Sequence, residues 1–213
     1  MSFTAEDFQK ELNVSRETME KLKQYDELLQ KWQKKINLVG PATMPDRWRR
    51  HFLDSAQLLP LIPEYAKIHV DMGSGAGFPG LVLAIMTGME VHLIESDLRK
   101  CLFMREVVRV TGANVTVHNK RIEKITDIKA DVISARALAS LSKLLDYANS
   151  FLKKDTLCVF PKGKRFEEEL TELKYVWYIK EHRVTSVTDD EGVVLVIRGI
   201  EDVRETARTS DSA

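Results

Sequence analysis

Cysteine is scarce in this chain of 213 residues, which has only Cys101 and Cys158. One falls in an expected helix and the other in an expected strand, with no metal-ligand spacing around either. That argues against a disulfide framework or a metal centre and for buried, reduced thiols. Charge of one sign is also missing: Lys plus Arg and Asp plus Glu both number 32. The net balance therefore points to no partner, and recognition by charge has to reside in local clusters. No apolar run approaches the roughly 18 residues of a membrane span, and no signal peptide is apparent. The expectation is a soluble, cytoplasmic protein with one main domain, an appendage and no obligate protein partner.

What the chain does have is a glycine string. Residues 70–80 read Val-Asp-Met-Gly-Ser-Gly-Ala-Gly-Phe-Pro-Gly, an apolar run that ends in Asp71 and breaks into Gly73, Gly75, Gly77 and Gly80. This is the signature of a strand entering a ligand-binding turn, where the backbone approaches a ligand closely and the next helix offers its N–H groups. Pro79 suits the first turn of that helix. Two registers fit. Residues 75–80 match the dinucleotide fingerprint G-x-G-x-x-G, and residues 71–77 match the acid-x-G-x-G-x-G pattern of S-adenosylmethionine (SAM) methyltransferases. Glu95 ends the next expected strand about 20 residues on, where a ribose-binding carboxylate belongs in either case. It supports a ribose ligand without choosing between the two registers.

The first sixty residues are helical in pattern. Met19, Leu22, Tyr25, Leu29, Trp32 and Ile36 form one apolar stripe on a long helix opened by Ser15. Thr43-Met44-Pro45-Asp46 reads as a second helix start with a capping acid, followed by Trp48, Phe52, Ala56 and Leu59 on one side and Arg47, Arg50 and His51 on another. From Ile68 strands alternate with helices, which implies a parallel sheet covered on both faces. Two β-rich runs, 176–187 and 193–198, flank Asp189-Asp190-Glu191-Gly192 and read as a closing hairpin that gives the sheet an antiparallel edge. The expected fold is thus α/β: a doubly wound, Rossmann-like sheet with a C-terminal antiparallel hairpin and an N-terminal helical extension. The expected divisions are 1–66, 67–200 and a disordered tail at 201–213. A hairpin ending favours a SAM methyltransferase over a dehydrogenase, whose sheet more often continues in parallel.

The resemblance to one family then becomes specific. Asn37-Leu38-Val39, residues 50–55 (Arg-His-Phe-Leu-Asp-Ser), the loop 71–80, Arg121-Ile122-Glu123, Ser134-Ala135-Arg136-Ala137 and Lys162-Gly163 occur in order and at matching spacing. In these motifs, from about Leu28 to Arg198, the chain resembles the bacterial methyltransferase G family, also called glucose-inhibited division protein B. The resemblance implies SAM-dependent methylation of N7 of a guanine in 16S ribosomal RNA, with that RNA or the small ribosomal subunit as partner. It implies that Gly73 and Phe78 belong to the cofactor loop, that Ile122 and Glu123 bracket the adenine, and that Arg136 lies beside the methionine moiety. With Asp71, Gly75 and Gly77 of the glycine pattern and Glu95, these form the expected SAM-binding set. Met72 stands where the family has a small or β-branched residue.

Guanine N7 is a bare acceptor with no proton to remove, so the implied reaction requires no general base. Orientation, by Arg136 and His51, is the expected contribution. The Asn/Asp-Pro-Pro-Tyr motif of exocyclic-amine methylation is absent, and neither cysteine sits where it could attack a pyrimidine. Arg47, Arg50, Arg99, Lys100, Lys162, Lys164 and Arg165 are the expected phosphate-neutralising cations. Each has a plainer reading as a solvated surface charge, and His51 equally reads as a helix-packing histidine. A nicotinamide-dependent oxidoreductase and a non-catalytic RNA-binding assembly factor are the alternative functions.

Overall fold

A computed structural model describes residues 3–173 and 177–202. The chain begins with helix α1, Ala5–Glu11, closed at its start by a capping box in which Thr4 and Asp7 satisfy each other's backbone N–H groups. Ser15 opens α2, Arg16–Gln33, its hydroxyl accepting the Thr18 N–H at 3.1 Å. The apolar stripe does what its spacing predicts: Met19, Leu22, Tyr25 and Leu29 are buried, while Trp32 and Ile36 are half-buried where the helix ends.

The second expected helix start is corrected. Pro41–Asp46 forms a 3₁₀ turn with no side-chain cap, because prolines at 41 and 45 set the local backbone and remove N–H donors. A π-helical segment, Trp48–Leu53, follows and passes into α3, Asp54–Ala56. Its wider turn buries Trp48, His51, Phe52 and Leu53 together, so His51 lies with the packed side chains and not on an open face with Arg50.

Seven strands form one sheet: β1 Ile68–Met72, β2 Glu90–Glu95, β3 Val115–Asn119, β4 Val132–Ser134, β5 Leu157–Lys162, β6 Trp177–Thr185 and β7 Val193–Asp202, in the spatial order β3-β2-β1-β4-β5-β7-β6. Strand β7 runs antiparallel to both β5 and β6. The reversed strand therefore lies one place inside the sheet, and the edge strand β6 runs with the parallel set. Four helices connect and cover the strands: α4 Gly80–Thr87, α5 Leu98–Thr111, α6 Leu141–Ala148 and α7 Phe166–Leu173. The strand order reverses between β1 and β4, which puts a crevice at their carboxyl ends.

Buried apolar side chains among the described residues form three clusters, the smallest of them Leu58, Leu83, Val132, Leu157, Val159 and Val194. Val91 and Leu93 of β2 pack in one core with α4, α5 and the N-terminal helices. Val70, Met72, Ile94 and Ile133 face a second core under α6 and α7, so Met72 is accommodated as an ordinary fully buried side chain. The expected boundary at residue 200 is moved: Glu201 and Asp202 pair with Tyr178 and Trp177, extending β7 beyond it. The rest of the expected tail, and Val176 at the start of the first β-rich run, lie outside the described residues.

One contact joins the N-terminal helices to the glycine loop. Tyr25, fully buried on α2, donates its hydroxyl proton to the Ala76 carbonyl at 2.5 Å. Removing that donor strands a carbonyl in the interior, so Tyr25→Phe should lower the unfolding free energy by about 1–3 kcal/mol in urea denaturation.

Candidate active site

Beyond the carboxyl ends of β1, β2, β3 and β4 lies a cleft of about 820 Å³. Its centre is the loop leaving β1. Gly73 has φ +64°, and a Cβ there would come within 2.5 Å of the Leu138 side chain, so only glycine lets the chain turn under that residue. Gly77, at φ +91°, is confined differently: its Cβ would strike Leu81 at 2.2 Å and approach the Tyr25 hydroxyl at 3.2 Å. Gly77 thus permits close packing of loop on helix and does not line the cleft, whereas Gly73, Ser74, Gly75, Ala76 and Phe78 do.

Two carboxylates hold the loop in place. Glu95 accepts the Gly75 N–H at 3.0 Å with one oxygen and the Asp97 N–H at 2.8 Å with the other, and it lines the cleft. Each oxygen keeps a lone pair for a ligand hydroxyl. Asp71 works from beneath. It is fully buried, accepts the Ser134 hydroxyl at 2.6 Å and the Gly80 N–H at 3.3 Å, and does not reach the cleft. Ser134 in turn bonds His69 Nε2 at 2.8 Å. This His-Ser-Asp chain is sealed inside the sheet, with all three residues at 0% exposure, so it fastens β1 to β4 and offers no nucleophile to a substrate. Burial raises the Asp71 pKa from 3.8 to about 6, and lowers that of His69 from 6.5 to about 3.

Phe78 carries the wall of the cleft nearest the N-terminal helices. Its ring stacks with Tyr25 at 5.0 Å and with His51 at 5.2 Å, and meets Phe52 edge-on at 5.3 Å. The Arg136 guanidinium lies 5.1 Å from the same ring centre. His51 bonds Thr43 Oγ1 through Nε2 at 2.7 Å, and Thr43 gives its own proton to the Gly40 carbonyl at 2.7 Å. The hydroxyl must therefore accept, Nε2 carries the imidazole proton, and Nδ1 is a bare, buried acceptor with no hydrogen-bond partner among the described residues. Burial, then the charges of Arg136 and Arg50, lower the His51 pKa to about 3, so the ring is neutral near pH 7.

The cleft brings together Arg50, His51, Gly73, Gly75, Phe78, Glu95, Lys100, Ile122, Glu123, Arg136 and Lys162 from the residues expected in the sequence. Ile122 and Glu123 arrive on a 3₁₀ turn directly after β3. Arg47 is placed elsewhere, paired with Asp26 on α2, which also accepts the Trp48 indole N–H at 3.1 Å. Its charge is used to join two helices. Arg99 is turned outward onto its own helix cap, Asp97, at 3.3 Å. Lys164 and Arg165 are exposed beside Glu191 and Glu168 and do not line the cleft. Lys162 lines it, but its ammonium is paired with Glu169 at 2.6 Å and bonded to the Ala139 carbonyl at 3.2 Å. Sequence reading gave no role to Lys120 and Arg121, which stand on the rim after β3 with no ion pair among the described residues. The rule that ligands sit at strand carboxyl ends applies to them as well. Asp54, Leu138 and Thr188 also line the cleft; Asp54 stands in the 50–55 motif without an assigned role, and distant segments bring Leu138 and Thr188 to it. Both cysteines are buried and free, and neither lines the cleft.

Residues 18–210 match the family model described as rRNA small subunit methyltransferase G. The chain belongs to that family. The match starts ten residues before Leu28 and runs past Arg198. Proteins named ribosomal RNA small subunit methyltransferase G from Paramagnetospirillum magneticum and Rhodospirillum centenum are similar to this family member. The first is 56% identical over 187 residues, covering 88% of this chain and 91% of the relative. The second is 53% identical over 194 residues, covering 91% and 90%. Among solved structures, a SAM-dependent methyltransferase from Aquifex aeolicus superposes with a TM-score of 0.56 at 19% identity, covering 72% of this chain and 92% of that one. A ribosomal protein L11 methylase from Lactobacillus delbrueckii gives a TM-score of 0.55 at 17% identity over 68% and 75%. These two show the shared Rossmann-like sheet. Membership of the methyltransferase G family settles which glycine register applies: the chain is a SAM-dependent methyltransferase. The residues present fit that cofactor, with a side-chain-free turn at Gly73, two carboxylate oxygens at Glu95 and the apolar Ile122 beside them.

Gly73→Val should abolish SAM binding in isothermal titration, because a β-branched residue is strained at φ +64° and its side chain has to displace Leu138. Stability should also respond to acid. His51 and His69 stay neutral in the fold while the unfolded chain protonates below about pH 6.5, so each withdraws stability as pH falls, roughly 2 kcal/mol by pH 5. Asp71 opposes them, since below about pH 6 the folded state takes up its proton before the unfolded chain does. Two histidines outweigh one carboxyl. The Tm should fall between pH 7 and pH 5, and fall less in His69→Gln.

Proposed function

We propose that this methyltransferase transfers the methyl group of SAM to N7 of a guanine in 16S ribosomal RNA by in-line displacement, without a general base. The reading rests on family membership together with one structural observation: neither His51 nor Asp71 is placed to take a proton from a bound base. His51 is held neutral with its Nε2 proton committed to Thr43, and Asp71 is sealed below the loop. Such a site suits an acceptor that has no proton to lose, as guanine N7 does. SAM, when bound, supplies an electrophilic methyl group on a positively charged sulfur.

The chain's own residues then have to bind, align and exclude water. Gly73 and Gly75 give backbone access, Glu95 takes ribose hydroxyls, Ile122 and Glu123 flank the adenine, and Arg136 meets the amino-acid end. Phe78, packed on Tyr25 and His51, fixes the loop so that alignment costs little at the moment of reaction. Orientation of this kind can lower a barrier by about 7–11 kcal/mol. His51 is an orienting group through its ring, which stacks on Phe78.

The RNA lies across the rim where cations are uncommitted. Lys100, Lys120, Arg121 and Arg50 line the cleft without ion pairs among the described residues, whereas Lys162 is neutralised by Glu169. The enzyme works in the cytoplasm, where its RNA is, and no helix among the described residues is long and apolar enough to cross a membrane.

The direct test is transfer of labelled methyl from SAM to small-subunit rRNA or 30S particles, followed by nuclease digestion and mass mapping. Label in 7-methylguanine is the expected result; label on an exocyclic amine or a ribose overturns it. For the RNA face, Lys120→Ala/Arg121→Ala should weaken RNA binding and flatten the slope of log affinity against log salt by about 1.4 for two phosphate contacts. An unchanged slope would remove both residues from the interface.

A further inference from the structure

One ion pair stands in the wall of the cleft. Asp54 Oδ2 contacts Arg136 Nη1 at 3.1 Å, and the two side chains are only 16% and 19% exposed. The other oxygen, Oδ1, accepts the Thr188 hydroxyl at 2.6 Å and the Gln57 amide at 2.9 Å. The guanidinium also donates to the Arg50 carbonyl at 3.2 Å and lies against Phe78. No other ion pair of Arg136 occurs among the described residues.

The sheet order gives this pair a chemical consequence, which rests on the SAM reading above. Ile122, Glu123 and Glu95 occupy the ends of β3 and β2, so the adenosine part belongs there, and the sulfur end then points toward β1 and β4, beside Arg136. A guanidinium near a sulfonium is repulsive, and in a partly desolvated cleft the repulsion is felt over several ångströms. A carboxylate paired with the guanidinium cancels most of it. The same cation exerts no such penalty on the product, S-adenosylhomocysteine, whose sulfur is an uncharged thioether.

We propose that Asp54 is a positioning residue whose charge, by neutralising Arg136, sets the cleft's preference between the cationic methyl donor and its neutral product. Asp54→Asn keeps the shape and an acceptor for Thr188 but removes the charge. Titration calorimetry should show SAM affinity falling about tenfold or more in Asp54→Asn, with S-adenosylhomocysteine affinity changing by no more than about threefold. Arg136→Gln should move the ratio the other way, toward SAM, even though both ligands lose a common contact. Thr188→Val, which removes the hydroxyl bonded to Asp54 and Ser186 but leaves both charges of the pair, should leave the ratio at its wild-type value. Equal losses for the two ligands in Asp54→Asn, or an unchanged ratio in Arg136→Gln, would overturn the proposal and leave Asp54 a purely structural residue. Should Asp54→Asn fail to fold by circular dichroism, the sign of the Arg136→Gln shift decides alone. A wild-type protein that binds neither ligand defeats the cofactor reading instead, a result distinguishable from all of these.

Discussion

The ring of Phe78 is where three separately made parts of the molecule touch: the glycine loop that carries it, the N-terminal helices through Tyr25, His51 and Phe52, and the end of β4 through Arg136. Buried aromatic contacts of this kind combine apolar burial with preferred ring geometry, so they specify distance as well as cohesion. A glycine-rich turn is intrinsically loose, since its residues give up more conformational freedom on ordering than any others. The turn is therefore rigid here because of what leans on it. The Tyr25 hydroxyl holds the Ala76 carbonyl, Glu95 holds the Gly75 N–H, and Asp71 ties the loop's base to the first turn of α4.

That arrangement explains how charge is distributed around the cleft. Three carboxylates close to it are engaged by the protein: Glu95 by backbone N–H groups, Asp54 by Arg136, and Glu169 by Lys162 and the Leu141 N–H. The cations divide into those spent on internal pairs and those left on the rim. A net charge of zero over the whole chain thus coexists with a local excess of unpaired positive charge where β2 and β3 end.

Much of this was legible in the sequence, for physical reasons that can be named. The strand and helix cores follow from apolar periodicity, so the first strand begins at Ile68 as read, and the stripe Met19, Leu22, Tyr25 and Leu29 is buried. Gly73 and Glu95 were readable because position at the end of a strand is a local property, whereas Ile122 came from the family resemblance. What escaped was set by long-range pairing. Arg47 and Arg50 are near neighbours in sequence, yet Asp26, on another helix, withdraws only the first from the cleft. Asp71 looks like a ligand-binding acid in a linear motif, but Ser134 and Gly80 take up both of its oxygens below the surface. The reversed strand β7 is likewise invisible locally, since a hairpin turn fixes the sense of β6 and β7 relative to each other and says nothing of which one docks on β5.

The turn between β6 and β7 is gripped by side chains from near the other end of the chain: Arg49 and Arg50 donate to the carbonyls of Val187 and Thr188, Gln57 accepts the Val187 N–H, and Asp54 takes the Thr188 hydroxyl. These partners are 130 or more positions apart. Contacts of such separation form late, after the intervening loops have paid their closure entropy. During synthesis, then, a nascent polypeptide that has not yet emerged past this turn has its glycine loop and its helical layer but lacks one bank of the crevice.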